Sequence, residues 1–149
     1  MQIQTVRIVS NNICYGPEPL PNDEVEQHLT ISASGRVWFT GYKYANGFGK
    51  FEICRRQQLV IAKPVAMEIM ALFSQYVNSY ELVYYATDIG IWEMAITDIE
   101  GKSYNFKGSL CGGVSVGDIN LTYYLREQIP DKDLFVFDQS LECDTEVKL

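Results

Sequence analysis

Two stretches of this chain carry the same hairpin pattern, and that echo constrains the fold more than any other feature. "LTISASGRVWFTG" and "AITDIEGKSYNFKG" each run as a strand, a polar turn, a glycine followed by a base, then an aromatic. The matching positions are Gly35-Arg36 with Trp38 and Gly101-Lys102 with Tyr104, 66 residues apart. A turn dipeptide between β-branched and aromatic runs is a hairpin signature. A helix-like segment follows each hairpin further along the chain. Strands that arrive as hairpins need antiparallel neighbours. The expected class is therefore α+β, a mostly antiparallel sheet with two packed helices, rather than a parallel α/β sheet.

The remaining segments fit that frame. "QIQTVRIVS" alternates as a strand should. "YGPEPLPND" carries Pro17, Pro19 and Pro21, whose spacing stiffens an extended arm and excludes a helix. "NGFGKFEICRRQQLVIA" reads as a loop and a strand, and Pro64 opens a helix over 64–78. "ELVYYA", "IWEMAITD" and "KSYNFKGSL" read as strands. A second helix is expected in "DINLTYYLREQI", capped by Asp118 and stopped by Pro130, with "LFVF" as a last short strand. The first helix carries apolar residues over most of its circumference, from Val65 to Val77. It is expected to be covered within the domain, with a homodimer through residues 64–78 as the alternative.

With 149 residues, 47% hydrophobic and 13% aromatic, the chain can bury a full core as one domain over 1–139, followed by an acidic tail, 140–149. No apolar run approaches the about 20 residues that span a bilayer, so no membrane is expected. "MQIQTVRIVSNN" lacks the pattern of a secretory leader, so the expected compartment is the cytoplasm. Cys14, Cys54, Cys111 and Cys143 form no C-x-x-C pair and His28 is the sole histidine, so no metal site and no disulfide framework are expected. No cofactor motif is present either.

The net charge of −7 is segregated. Residues 18–26 hold four acids and no base, and 131–149 hold six acids against two lysines, while 27–130 balance nine against nine. Such a field disfavours nucleic acid and suits a basic protein partner. The residues expected to meet that partner are Glu142, Asp144 and Glu146 of the tail and Pro17, Pro19 and Pro21 of the arm.

Candidate chemistry is thin. "KGSLCGGVSVGDINL" holds the first spacing of a P-loop, but Val114 and Ser115 stand where that motif needs lysine and then a hydroxyl residue, so it reads as a connection. Cys111 as a nucleophile would need a base, and only His28 could serve. In "VEQHLTIS", however, His28 alternates with Glu26 and Thr30 and reads as a solvated or hydrogen-bonded strand histidine rather than half of a dyad. Asp88 and Glu93 complete the catalytic candidates. Glu93 leads because it alternates on one face with Ile91 and Ala95, and a buried carboxylate there would have a raised pKa. "GYKYANGFGKFEI" interleaves aromatics with lysines and approaches an RNA-binding strand motif, making Tyr42, Tyr44 and Phe48 nucleic-acid candidates. It departs from that motif at Asn46 and Lys50, and the charge opposes it.

The strings "ATDIGIWEM", "SLC" and "LFVFD", with "EQHLTI" and "GRVWF" upstream, resemble a family of small stand-alone proteins from anaerobic gut Firmicutes with no assigned activity. The resemblance implies a bacterial cytoplasmic protein and transfers no site. The functional expectation is a non-enzymatic interaction or regulatory protein, in one version an inhibitor of a basic partner. The alternatives are a small hydrolase or ligand sensor with a pocket near Glu93 and Cys111, and a single-strand nucleic-acid binder.

Overall fold

Alternation becomes pairing in the computed structural model, which describes residues 1–14, 16–79, 89–111, 113–131 and 133–138. The segment "ELVYYA", Asp88, Gly112, Cys143 and the tail residues Glu142, Asp144 and Glu146 lie outside the described residues. The long strands are β1 (Ile3–Asn11), β2 (Glu24–Ser32), β3 (Arg36–Lys43), β4 (Glu52–Val60), β5 (Ile91–Asp98) and β6 (Ser103–Ser109). They make one antiparallel sheet in the order β4-β3-β2-β1-β5-β6. Helix α1 (Lys63–Asn78), a short ladder of β7 (Ser115–Val116) and β8 (Ile119–Asn120), and helix α2 (Leu121–Gln128) complete a single α+β domain.

The two echoed hairpins, β2–β3 and β5–β6, flank β1 on either side. Their glycines are required by the turns. Gly35 sits at φ +98°, and a Cβ there would stand 2.6 Å from the Ile61 carbonyl oxygen. Gly101 sits at φ +89°, in a turn where the Asp98 carboxylate accepts from the Glu100 and Lys102 backbone N–H groups at 2.9 and 3.0 Å.

Period-2 patterning sends Val6 and Ile8, Leu29 and Ile31, Val37 and Phe39, and Trp92, Met94 and Ile96 to one face of the sheet. Helix α1 lays Ala66, Ile69, Met70, Phe73 and Tyr76 into that core, packing against β1. What α1 leaves outward is Lys63, Pro64, Met67, Glu68, Ala71, Gln75 and Asn78, so most of its apolar excess is used inside the domain. A homodimer through residues 64–78 would have Met67 and little other large apolar surface to use. No helix among the described residues is long and apolar enough to cross a membrane.

Two expected details are corrected. Helix α2 is capped by Asn120, whose side-chain oxygen accepts from the Tyr123 N–H at 3.1 Å, while Asp118 lies in the turn between β7 and β8. The short ladder uses up the residues that would have formed the first helical turn. "LFVF" is not a strand but a buried turn with Val136 at φ +53°, a costly angle for a β-branched residue. Side chains from far along the chain hold it. Ser10 Oγ donates to the Val136 carbonyl at 2.6 Å, Gln27 accepts from the Phe135 N–H at 2.7 Å, and Arg126 donates to the carbonyls of Leu134 and Asp138 at 2.8 and 2.9 Å.

A second anchor pins the approach to that turn. Arg55 of β4 lies with its guanidinium carbon 4.5 Å from the centre of the Phe39 ring. It donates to Glu24 at 2.7 and 3.1 Å and to Asp131 at 2.7 Å. Gly41 makes the space, because a Cβ there would fall 2.7 Å from the Glu24 carboxylate.

Candidate functional site

The helices and the docked turn occupy one face of the sheet, so the opposite face decides what the molecule can meet. Strand register fixes its rows. One reads Lys107, Glu93, Val9, His28, Thr40 and Arg56 from β6 across to β4. Beside it run Ile91, Asn11, Glu26, Tyr42 and Ile53. The face mixes both signs of charge with exposed apolar groups, Trp38 and Ile91 among them at 37% and 38% exposure.

At one end this face is hollowed into a half-open cavity of about 270 Å³. Its floor is Val9, Asn11, Glu26, Ile91 and Glu93, and its rim is Ile13, Ile89 and Phe48. Phe48 rides on the loop between β3 and β4, where Ala45, Gly47 and Gly49 all take positive φ. That loop is tied to the proline arm: the Tyr44 and Ala45 N–H groups donate to the carbonyls of Asp23 and Pro21 at 2.9 and 2.8 Å. The Tyr44 hydroxyl donates to Glu18 at 2.7 Å, and this bond to a carboxylate raises its pKa.

A chain of side chains fixes Glu26. Asn11 donates to one carboxylate oxygen at 3.0 Å, and His28 Nε2 meets the other at 2.7 Å. Arg7 can only donate, and it faces His28 Nδ1 at 3.3 Å, so the geometry fits the tautomer with its proton on Nε2. The His28 bond is the main cause holding the Glu26 carboxyl below its usual range, against the opposing effect of burial. The sign of the pH dependence follows. A carboxylate with a depressed folded pKa contributes stability that is full above its unfolded value of about 4.3 and is lost as pH falls through the folded value. Urea titrations at pH 6 and pH 3 will therefore show a smaller pH loss for Glu26→Gln than for the native chain. The difference should be under about 1 kcal/mol, because the pair is partly solvated.

The structure gathers some of the candidates and separates others. Glu93 lines the cavity, and among the described residues it makes no hydrogen bond or ion pair, although Lys107 is its register partner. Phe48 lines it too and is 77% exposed. His28 borders it through Glu26, with its ring 4.7 Å from that of Tyr42. Tyr44 is buried at 7% exposure against Phe51 and does not present a free stacking face. Pro17 and Pro21 are exposed and Pro19 is half-buried, on the arm that braces the Phe48 loop.

Cys111 is exposed and stands past the end of edge strand β6, where its backbone bridges to Asp138. Three strand spacings separate β6 from β2, about 14 Å, so Cys111 and His28 form no dyad. Cys14 and Cys54 are also free and exposed. Within "KGSLCGGVSVGDINL", Gly108 has a packing role, since a Cβ there would lie 2.7 Å from the Trp92 indole. Gly117 turns β7 into β8 at φ +59°. Among the described residues no three His, Cys, Asp or Glu side chains come together as a metal site requires.

Glu26 and Asn11 were not singled out by sequence reasoning. A signal for Glu26 existed, because Glu26 and His28 are two apart on a strand and must share a face. Asn11 had none, since its place beside Glu26 depends on the register across the residue 12–23 connection. No protein-family model matches the chain, and no characterised protein matches it.

Proposed function

We propose that this chain is a non-enzymatic interaction protein that meets a protein partner through the open face of its sheet. The observation that carries the reading is the one-sided architecture: every described helix and the docked turn lie on one face, leaving the other six strands wide. Six strands of about eight residues present roughly 600–700 Å² at standard spacings. That is close to the about 800 Å² each partner contributes to an ordinary specific interface. The mix of Trp38, Tyr42, Ile91 and charges of both signs suits such a surface better than a catalytic one. The acidic segment 18–26 and the acidic tail favour a basic partner by steering its approach. A bacterial cytoplasmic setting goes with this proposal and rests on the family resemblance.

The hydrolase or sensor reading keeps one support, the presence of Glu93 in a cavity. Against it, about 270 Å³ is below the roughly 300–1,000 Å³ of small-molecule sites, and among the described residues no cysteine, serine or threonine lines the hollow. The nucleic-acid reading retains Tyr42 and Phe48 but loses Tyr44 to the interior.

The test is affinity capture from native lysate with three baits: the native chain, a Trp38→Ala/Ile91→Ala variant, and a variant with Glu142, Asp144 and Glu146 neutralised. The proposal expects a protein partner that the open-face variant loses and that the tail variant holds with weakened affinity at low salt. A partner held equally by all three baits would overturn it. So would a bound small molecule in place of a protein.

A further inference from the structure

We infer that the open-face cavity is a socket for a single arginine side chain of the partner. This rests on the open face being the partner surface and adds the chemistry of its anchor. The hollow, at about 270 Å³, accommodates one long side chain rather than a nucleotide or a peptide backbone. Its aliphatic walls, Val9, Ile13, Ile89 and Ile91, suit a methylene stem.

Among the described residues its polar groups are the Asn11 amide of β1 and two carboxylates from the strands on either side, Glu26 of β2 and Glu93 of β5. Glu26 is already ionised and oriented by His28 and Asn11, so it meets a cation without reorganising. Glu93 has no described partner and stands free to close on the same group.

The two strands stand about 10 Å apart, with the carboxylates projecting from separate rows. A guanidinium carries donors on both edges of a plane and can address two carboxylates at once, whereas an ammonium is a point charge. The Phe48 ring at the rim offers the flat surface on which a guanidinium stacks, the contact Arg55 makes with Phe39 elsewhere in this chain. Charge complementarity and planar geometry therefore select arginine over lysine and over a neutral side chain.

The experiment is a methyl-resolved NMR titration of the full chain with N-acetyl-arginine amide, N-acetyl-lysine amide and the neutral isostere N-acetyl-citrulline amide. The arginine probe should give saturable shifts at the methyls of Val9, Ile13, Ile89 and Ile91, with a dissociation constant on the order of 1 mM. Glu93→Gln should weaken it about tenfold, as loss of one charge-assisted contact implies, and Phe48→Ala should weaken it less. Glu93 is exposed, so its variant keeps the fold, and unchanged core methyl shifts verify this.

No saturable shift with arginine overturns the inference. Equal response to citrulline or lysine, or indifference to Glu93→Gln, also overturns it. A partner captured through Trp38 and Ile91 by a chain whose cavity ignores arginine would sink the socket and leave the interaction reading standing.

Discussion

Phe137→Ala will lower the stability of this domain by about 3–5 kcal/mol, read as a shift of the urea midpoint with little change in slope. Phe137 has no solvent exposure, and its ring meets Trp92 edge-on with centroids 4.8 Å apart. It also lies in the turn that closes the core. Truncation therefore removes a large buried ring and leaves Trp92 facing a void, in a position where the Gly108 backbone already backs closely onto the indole. The left-handed Val136 next door is held by this packing together with the Ser10, Gln27 and Arg126 bonds and the backbone bridge from Asp138 to Cys111. A cost below about 1 kcal/mol would mean that the turn is not docked as described.

Arg55→Ala should cost about 3 kcal/mol, for a different reason. The Asp131 carboxylate is 1% exposed, and removing the cation leaves it, among the described residues, with the Gln57 amide alone, which reaches it at 2.9 Å once turned to present its nitrogen. Glu24 loses both of its donors from Arg55 as well. Because most of the penalty is an orphaned charge rather than a lost attraction, the double variant Arg55→Ala/Asp131→Asn should regain more than half of it. A double variant as unstable as the single one would place the cost in the lost stacking on Phe39 instead.

The contrast between these two anchors shows what could be read in the residues and what could not. The sheet was legible because its information is local. Alternation set the faces of β1, β2, β3 and β5, and Ser34-Gly35 and "DIEG" set two turns. Pro64 marked the start of α1 for an equally local reason, a missing N–H where none is needed.

"LFVF" misled because an apolar run of four has the same composition as a strand or as a turn pressed into a core. Its backbone groups are satisfied by Ser10, Gln27 and Arg126, and no local pattern announces partners as much as 126 residues away. Asp118 misled because both it and Asn120 can cap a helix, and only the β7–β8 ladder decides between them.

The candidate site divides in the same way. Phe48 was legible by its aromatic loop, whereas Glu93 was singled out for a buried face and lies on the open one, exposed. Their convergence was not legible, because it depends on β5 pairing with β1 across 79 intervening residues, from Asn11 to Ile91. His28 shows the opposite case: read from its strand as a hydrogen-bonded histidine rather than half of a dyad with Cys111, it is bound to the carboxylate two residues before it. The cross-strand partner is invisible in a sequence, but the same-strand partner was in plain view.

Site-specific photo-crosslinking in living cells can show whether the open face of the sheet meets a protein partner. A benzophenone amino acid would replace Tyr42, on the open face, in one strain and Met67, on the outward side of α1, in another. A discrete protein adduct is expected from position 42 and none from position 67. Adducts from position 67 with a silent position 42 would contradict this and move the partner to the helical side.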